Sequence, residues 1–284
     1  MEKIGTSSNI KTTIRKEDFN IKKKFGQNFL VDQNILRKIV NIPTITDNTL
    51  VIEIGPGLGS LTEHLLTKAK RVLAYEIDND LIPILEETFK DKPLTLIHGD
   101  FLKRNIDEDI NQVNEEFDQI VVVANLPYYI TTPIILKILE ESKQIKELVL
   151  MTQLEVAQRL TSKPSTKDYN SLSIAIQYKT TATIAMKVPR SVFIPAPNVD
   201  SAIVKLNVKE VIDVVPNNEA HFYKLVRSSF AQRRKTLVNN IHSQFGLTKE
   251  YIINVLEELE YDPRIRAENL SVIDFIKLSD KLTQ

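Results

Sequence analysis

Four consecutive residues, Asn125-Leu126-Pro127-Tyr128, carry the most specific chemistry in this sequence. The side-chain oxygen of Asn125 and the backbone carbonyl of Leu126 are neighbouring hydrogen-bond acceptors. Pro127 adds no competing N–H donor and fixes the local backbone. Two acceptors of this kind suit the exocyclic amine of adenine, whose lone pair is delocalised into the ring. One acceptor for each N–H draws both hydrogens out of the ring plane and frees the nitrogen for in-line attack on a sulfonium methyl. Tyr128 offers a face on which an extruded base stacks. No strong base is needed, because the nitrogen turns acidic once it carries the new bond. As an isolated match the same string would be a turn capping the next helix, but its place directly behind the apolar run Ile120 to Ala124 favours the chemical reading.

A second cluster suits an adenosine without phosphates. Glu53-Ile-Gly55-Pro-Gly57-Leu-Gly59 follows an apolar run, and its glycines let a ligand approach the main chain. The spacing is G-x-G-x-G with Ser60 next, so the dinucleotide fingerprint is not met and a nicotinamide cofactor is disfavoured. Glu76, at the end of the next apolar run, is placed to accept from both hydroxyls of a ribose. Asp100-Phe101 would bond the adenine amino group and stack on its face, the alternative for Asp100 being an ordinary helix or turn cap.

These residues require a scaffold that brings strand ends together. Leu50–Ile54, Arg71–Ile77, Leu94–His98, Ile120–Ala124 and Glu147–Thr152 read as strands. Helical patterns over Leu61–Lys68, Asn79–Phe89 and Pro133–Glu140 alternate with them, and another helix over Asp32–Val40 precedes them behind an acidic cap. Such alternation predicts an α/β, doubly wound, Rossmann-like sheet whose parallel strands open their carboxyl ends to the ligand. Further strands are expected within 173–182 and over Ser201–Val208. Beyond Asn218 the pattern is helical, with Arg233, Arg234 and Lys235 opening a helix over 233–245. The expected organisation is a basic N-terminal arm over 1–24, the α/β domain over 25–212 and a smaller C-terminal α-helical domain over 213–284.

Composition limits the alternatives. The 284 residues contain no cysteine and four histidines without ligand spacing, so no metal site is expected. No apolar run approaches the ~20 residues a membrane helix needs, and no signal peptide is visible, so a cytoplasmic protein is expected. Lys plus Arg and Asp plus Glu each total 37, so global charge does not mark a nucleic-acid binder. A basic run such as Arg233-Arg234-Lys235 is either a phosphate-binding surface, a solvated helix face or, for one of the arginines, part of an inter-domain salt bridge.

Lys24-Phe-Gly-Gln-Asn28-Phe-Leu30, Glu53-Ile-Gly-Pro-Gly57, Asn125-Leu-Pro-Tyr128 and Phe193-Ile-Pro-Ala-Pro-Asn-Val-Asp200 together resemble the ribosomal RNA adenine dimethyltransferases from about Lys22 to Leu282. Leu126 and the run Gln232-Arg-Arg-Lys-Thr236 resemble the KsgA (RsmA) type acting on small-subunit RNA. Enzymes acting on large-subunit RNA tend to carry isoleucine at the Leu126 position. Ala124, where many members have glycine, is a small departure.

The resemblance implies S-adenosyl-L-methionine (SAM) as methyl donor, in a pocket of Asn28, Leu30, Gly55, Gly57, Glu76, Asp100, Phe101 and Asn125. It implies transfer to N6 of two adjacent adenosines in a small-subunit rRNA hairpin loop within a pre-ribosomal particle, by a monomer with no DNA substrate. A large-subunit RNA methyltransferase and a catalytically silent assembly factor of the same fold are the alternatives.

Overall fold

The computed structural model describes Ile4, Thr6 and residues 26–283; the rest of the expected basic arm lies outside the described residues. Its centre is a seven-stranded mixed sheet of order β4-β3-β2-β5-β6-β9-β7. The strands are β2 (Thr49–Ile54), β3 (Arg71–Glu76), β4 (Leu94–His98), β5 (Gln119–Asn125), β6 (Ile145–Gln153), β7 (Thr180–Val188) and β9 (Ser201–Val208). From β4 through β6 every pairing is parallel, while β9 runs antiparallel to β6. β2 and β5 are fully buried apart from their ends, as an apolar strand covered on both faces must be. Strand order reverses between them, so the carboxyl ends of β2 and β5 flank the crevice where open parallel sheets bind ligands.

The helices on this sheet are set by local caps. α1 (Gln33–Ile39) begins at Asp32, whose side chain accepts from the N–H groups of Asn34 and Ile35. α2 (Ser60–Leu65) starts instead from Gly59 in a left-handed conformation, φ 83°. α3 (Ile82–Thr88), α4 (Ile106–Gln112) and α5 (Thr131–Glu141) follow. The acidic run Asp107, Glu108 and Asp109 occupies the first turn of α4, where the helix dipole favours negative charge. A two-stranded ribbon joins β1 (Phe29–Leu30) to β8 (Phe193–Ile194), Phe29 opposite Ile194 and Leu30 opposite Phe193.

Two sequence expectations are corrected. The segment expected as strand within 173–182 forms α7 (Ser171–Lys179), after α6 (Leu154–Thr161), before it turns into β7. Ile174, Ile176 and Tyr178 are all buried, giving a period-two pattern that imitates a strand. A capping box fixes the helix: Asn170 accepts from Leu172 and Ser173 N–H, and Ser173 Oγ accepts from the Asn170 N–H. Arg233, Arg234 and Lys235 do not open a helix. They form a turn between α8 (Glu219–Ser229) and α9 (Leu237–Phe245), which starts only at the Thr236 cap. Buried Asn240 holds that turn, donating to the carbonyls of Ser229 (2.7 Å) and Gln232 (3.1 Å).

Contacts divide the chain into two compact units rather than at a single cut near 212. One reaches to Ala157 and resumes over Thr183–Val208; the other comprises Gln158–Ala182 and the chain from Lys209 onward. Ile174 and Tyr178 of α7 join Phe222, Leu225, Ile241, Leu256 and Phe275 in the second unit's core. The last two helices of that unit are α10 (Lys249–Glu258) and α11 (Val272–Leu282).

Gly59 is the backbone position with least room: a Cβ there would lie 2.5 Å from the Phe89 ring, on a positive φ. Gly59→Ala should destabilise the protein by about 2 kcal/mol or more, combining left-handed strain with overpacking. A lower urea midpoint checks this; an unchanged midpoint would show that the turn re-forms around the methyl group.

Candidate active site

The loops after β2, β3, β4 and β5, with the segment before α1, line one cavity. Every residue expected for cofactor or catalysis lines it: Asn28, Leu30, Gly55, Gly57, Glu76, Asp100, Phe101, Asn125, Leu126, Pro127 and Tyr128.

Glu76 ends β3 and is 4 % exposed. Its two carboxylate oxygens accept three backbone N–H groups, from Gly57 (3.1 Å), Ile77 (2.9 Å) and Asp78 (2.9 Å). Those donors favour the charged form, yet burial outweighs them and moves the Glu76 pKa upward. The same bonds hold the glycine loop against the end of β3. Gly57 has φ 60° and Gly55 φ 71°. A Cβ at Gly55 would meet nothing within 4 Å, whereas one at Gly57 would press on Phe29 at 3.1 Å. Gly55 therefore turns open space toward a ligand, and Gly57 serves packing.

Asp100 makes the cap that was its alternative reading, accepting from the Leu102 N–H at 3.0 Å, and it lines the cavity as well. Phe101 beside it is 4 % exposed and meets Tyr75 edge-on, centroids 5.0 Å apart. At the end of β5 the Asn125 side-chain N–H donates to the backbone carbonyl of Asn28 at 3.1 Å. With its nitrogen so engaged, the Oδ1 of Asn125 is left as an acceptor on a residue that lines the cavity. Asn28 is held in turn, its amide donating to the Gly26 carbonyl at 2.9 Å. Pro127 keeps its carbonyl for the Ile130 N–H (3.2 Å) and the Thr131 hydroxyl (3.3 Å). The Tyr128 hydroxyl is 2.8 Å from Ser201 Oγ on β9, and burial raises its pKa.

Three contributors are not evident from motif spacing. Phe193-Ile194 reaches the site indirectly, because the β1–β8 ribbon positions Asn28 and Leu30. Tyr129, next to the motif, lines the cavity rim. Glu53 lies inside β2 and is 1 % exposed; its one visible signal is a charge within the apolar run Leu50–Ile54. It accepts from the Thr62 hydroxyl at 2.7 Å. Burial, reinforced by the Glu76 charge, pushes its carboxyl up to about 8.

In the second unit Arg233 is engaged internally, 3.5 Å from Glu268 Oε2 and donating to the Lys167 carbonyl. Arg234 and Lys235 beside it are exposed and have no ion-pair partner among the described residues. No cluster of three or more acidic or histidine side chains able to hold a metal stands among the described residues, and no helix there is long and apolar enough to cross a membrane.

The sequence matches the ribosomal RNA adenine dimethylase family over residues 18–283. The chain belongs to that family. A relative named ribosomal RNA small subunit methyltransferase A, from Geobacillus sp. (strain WCH70), is 50 % identical over 98 % of this chain and 97 % of its own. One of the same name from Bacillus pumilus (strain SAFR-032) is 47 % identical over the same shares. A solved dimethyladenosine transferase from Plasmodium falciparum superposes with a TM-score of 0.73 at 31 % identity, covering 88 % of this chain and 95 % of that one. The 23S rRNA methyltransferase ErmE shares the fold, with a TM-score of 0.68 at 24 % identity over 90 % of this chain and 100 % of that one. The adenine dimethylase family and its Rossmann-like sheet thus agree with the reading of the motifs.

The buried acid gives a pH test. Glu53 folds best protonated, so its contribution to stability is full below its ordinary value of 4.5 and is lost as pH rises toward about 8. Glu53→Gln keeps an oxygen for Thr62 and removes the titration. The variant should match the parent near pH 4.5 and exceed it by about 1 kcal/mol or more at pH 8, since a tenfold change in a proton-binding constant is worth about 1.4 kcal/mol. Urea unfolding across that range measures the difference, and parallel curves would mean that Glu53 is ionised in the fold.

Proposed function

We propose that this chain transfers methyl groups from SAM to N6 of two adjacent adenosines in a small-subunit rRNA hairpin loop, giving N6,N6-dimethyladenosine during ribosome biogenesis. The observation that carries this is the Asn125–Asn28 hydrogen bond, which engages the Asn125 side-chain nitrogen and leaves its Oδ1 as an acceptor on a residue that lines the same cavity as Leu126. Bound SAM supplies an electrophilic sulfonium methyl. The protein's part is positioning: Asn125 Oδ1 and the Leu126 carbonyl each accept one N–H of the adenine amine, and Tyr128, fixed by Ser201, offers its ring to the base. Glu76 retains acceptor capacity for ribose hydroxyls beyond its three backbone donors. The proton leaves after the nitrogen has become acidic, so neither a general base nor a metal is required.

The relatives' names support a small-subunit rRNA substrate, and the leucine at 126 agrees with them rather than with a large-subunit target. A monomer acting in the cytoplasm on a pre-ribosomal particle completes the reading, with Arg234 and Lys235 meeting RNA phosphates and Arg233 bracing them.

Asn125→Ala should lower methyl transfer to immature small subunits by at least about 100-fold, the typical loss when one positioned electrostatic group is removed. Monomethyladenosine should accumulate, because the second attack is made by a nitrogen with a single hydrogen left to orient. Mass spectrometry of digested RNA, with SAM affinity measured alongside, reads both effects; near-normal rates and dimethyladenosine as the main product would remove Asn125 from this role.

Replacing Arg234 and Lys235 together by glutamine should weaken subunit binding and flatten its salt dependence by about 0.7–0.9 per cation in log–log slope. SAM affinity should not change. An unaltered slope would leave the turn as a solvated surface.

A further inference from the structure

We propose that Tyr129 is a stacking platform for the nucleobase adjacent to the adenosine held at Asn125, so that the site grips a two-base segment rather than one extruded base. This rests on the function proposed above. Tyr129 lines the rim of the same cavity yet is 61 % exposed, and its hydroxyl has no hydrogen-bond partner among the described residues. An exposed ring at the rim of a cavity, its hydroxyl satisfied by water, presents an aromatic face to whatever enters.

Tyr128 cannot take that part. It is half-buried, its hydroxyl is tied to Ser201 Oγ at 2.8 Å, and its ring already serves the target adenine. Tyr129 is held by other means. A Cβ built on Gly26 would lie 3.4 Å from Tyr129 Cε1 and 3.5 Å from Pro127 Cβ, on a φ of 61° that favours glycine. Gly26 therefore lies beside one edge of the Tyr129 ring, while most of the side chain stays exposed. With only two side-chain torsions, such a ring orders at little entropic cost. Burial and the nearby Asp100 charge raise the Tyr129 pKa, so it stays a neutral phenol near pH 7.

The occupant follows from the reaction. Two acceptors at residues 125 and 126 take the target amine, and Tyr129 is an exposed aromatic on the lining of the same cavity, so a neighbouring base outside the cavity has this ring to stack on. Every base offers a π-face, and single-stranded RNA is commonly held by aromatic rings of this kind. A neighbour so gripped is kept beside the reaction centre, ready to be the next substrate.

The test compares Tyr129→Phe, Tyr129→Leu and Tyr129→Ala in the full chain, acting on immature small subunits. Phe should stay within about 2-fold of the parent in kcat/KM, while Leu and Ala should both fall by about 5- to 100-fold, the range for losing one base–aromatic stack. SAM affinity should be the same in all. In a second arm, a single-stranded RNA with adenosine followed by 2-aminopurine should lose fluorescence on binding the parent and the Phe variant but not the Ala variant. Leu equal to the parent, SAM affinity falling in step with activity, or no quenching by the parent would each overturn the proposal. A parent that methylates no subunit RNA would instead overturn the function on which it rests.

Discussion

The parallel pairing of β2 with β5 is the constraint on which the rest of this structure depends. Thr49 stands opposite Gln119 and Ile52 opposite Val122, so two apolar strands far apart in sequence run side by side and end together. Strand order reverses at this pair, and the helices that follow β2 and β5 leave a crevice between their starts. The glycine turn after β2 and the Asn125 motif after β5 face each other for that reason. Glu76 and Asp100 enter from the next two strands outward. A fifth component is not on the sheet at all: the β1–β8 ribbon carries Asn28 to Asn125 and supplies the carbonyl that orients it.

Within that crevice, environment separates two carboxyl groups of identical chemistry. Glu76 has three backbone N–H groups aimed at its oxygens and keeps acceptor capacity for a ligand. Glu53 has one hydroxyl donor and near-complete burial, and the Glu76 charge pushes it further toward the neutral form. Burial raises both carboxyls, and only Glu76 has backbone donors that favour its charged form. The Asn125 side chain is likewise fixed within the fold, its nitrogen bonded to the Asn28 carbonyl, which is the preorganisation that the proposed role needs.

The second unit applies the same preorganisation to a surface. The cationic turn is held from beneath by Asn240 and from the side by Glu268 and the Lys167 carbonyl, both through Arg233. Three adjacent cations therefore have two tasks. One fixes the turn, and its neighbours stay exposed, as the proposed contact with RNA phosphates requires.

By itself the sequence determined the sheet's first five long strands, the cap at Asp32 and the residues around the cavity. Each of these is local: an apolar run, a capping side chain or a motif directly after a strand. Tertiary structure decided what local pattern leaves open. Residues 171–179 alternate in burial like a strand, yet they form a helix because Asn170 and Ser173 cap it and Ile174 and Tyr178 find a helical core. The engagement of Arg233, the buried state of Glu53 and the reach of Phe193-Ile194 toward Asn28 all depend on partners distant in sequence. Spacing along the chain cannot encode such partners, because a hydrogen bond or a desolvated charge acquires its energy only when folding brings the second group near and removes the water.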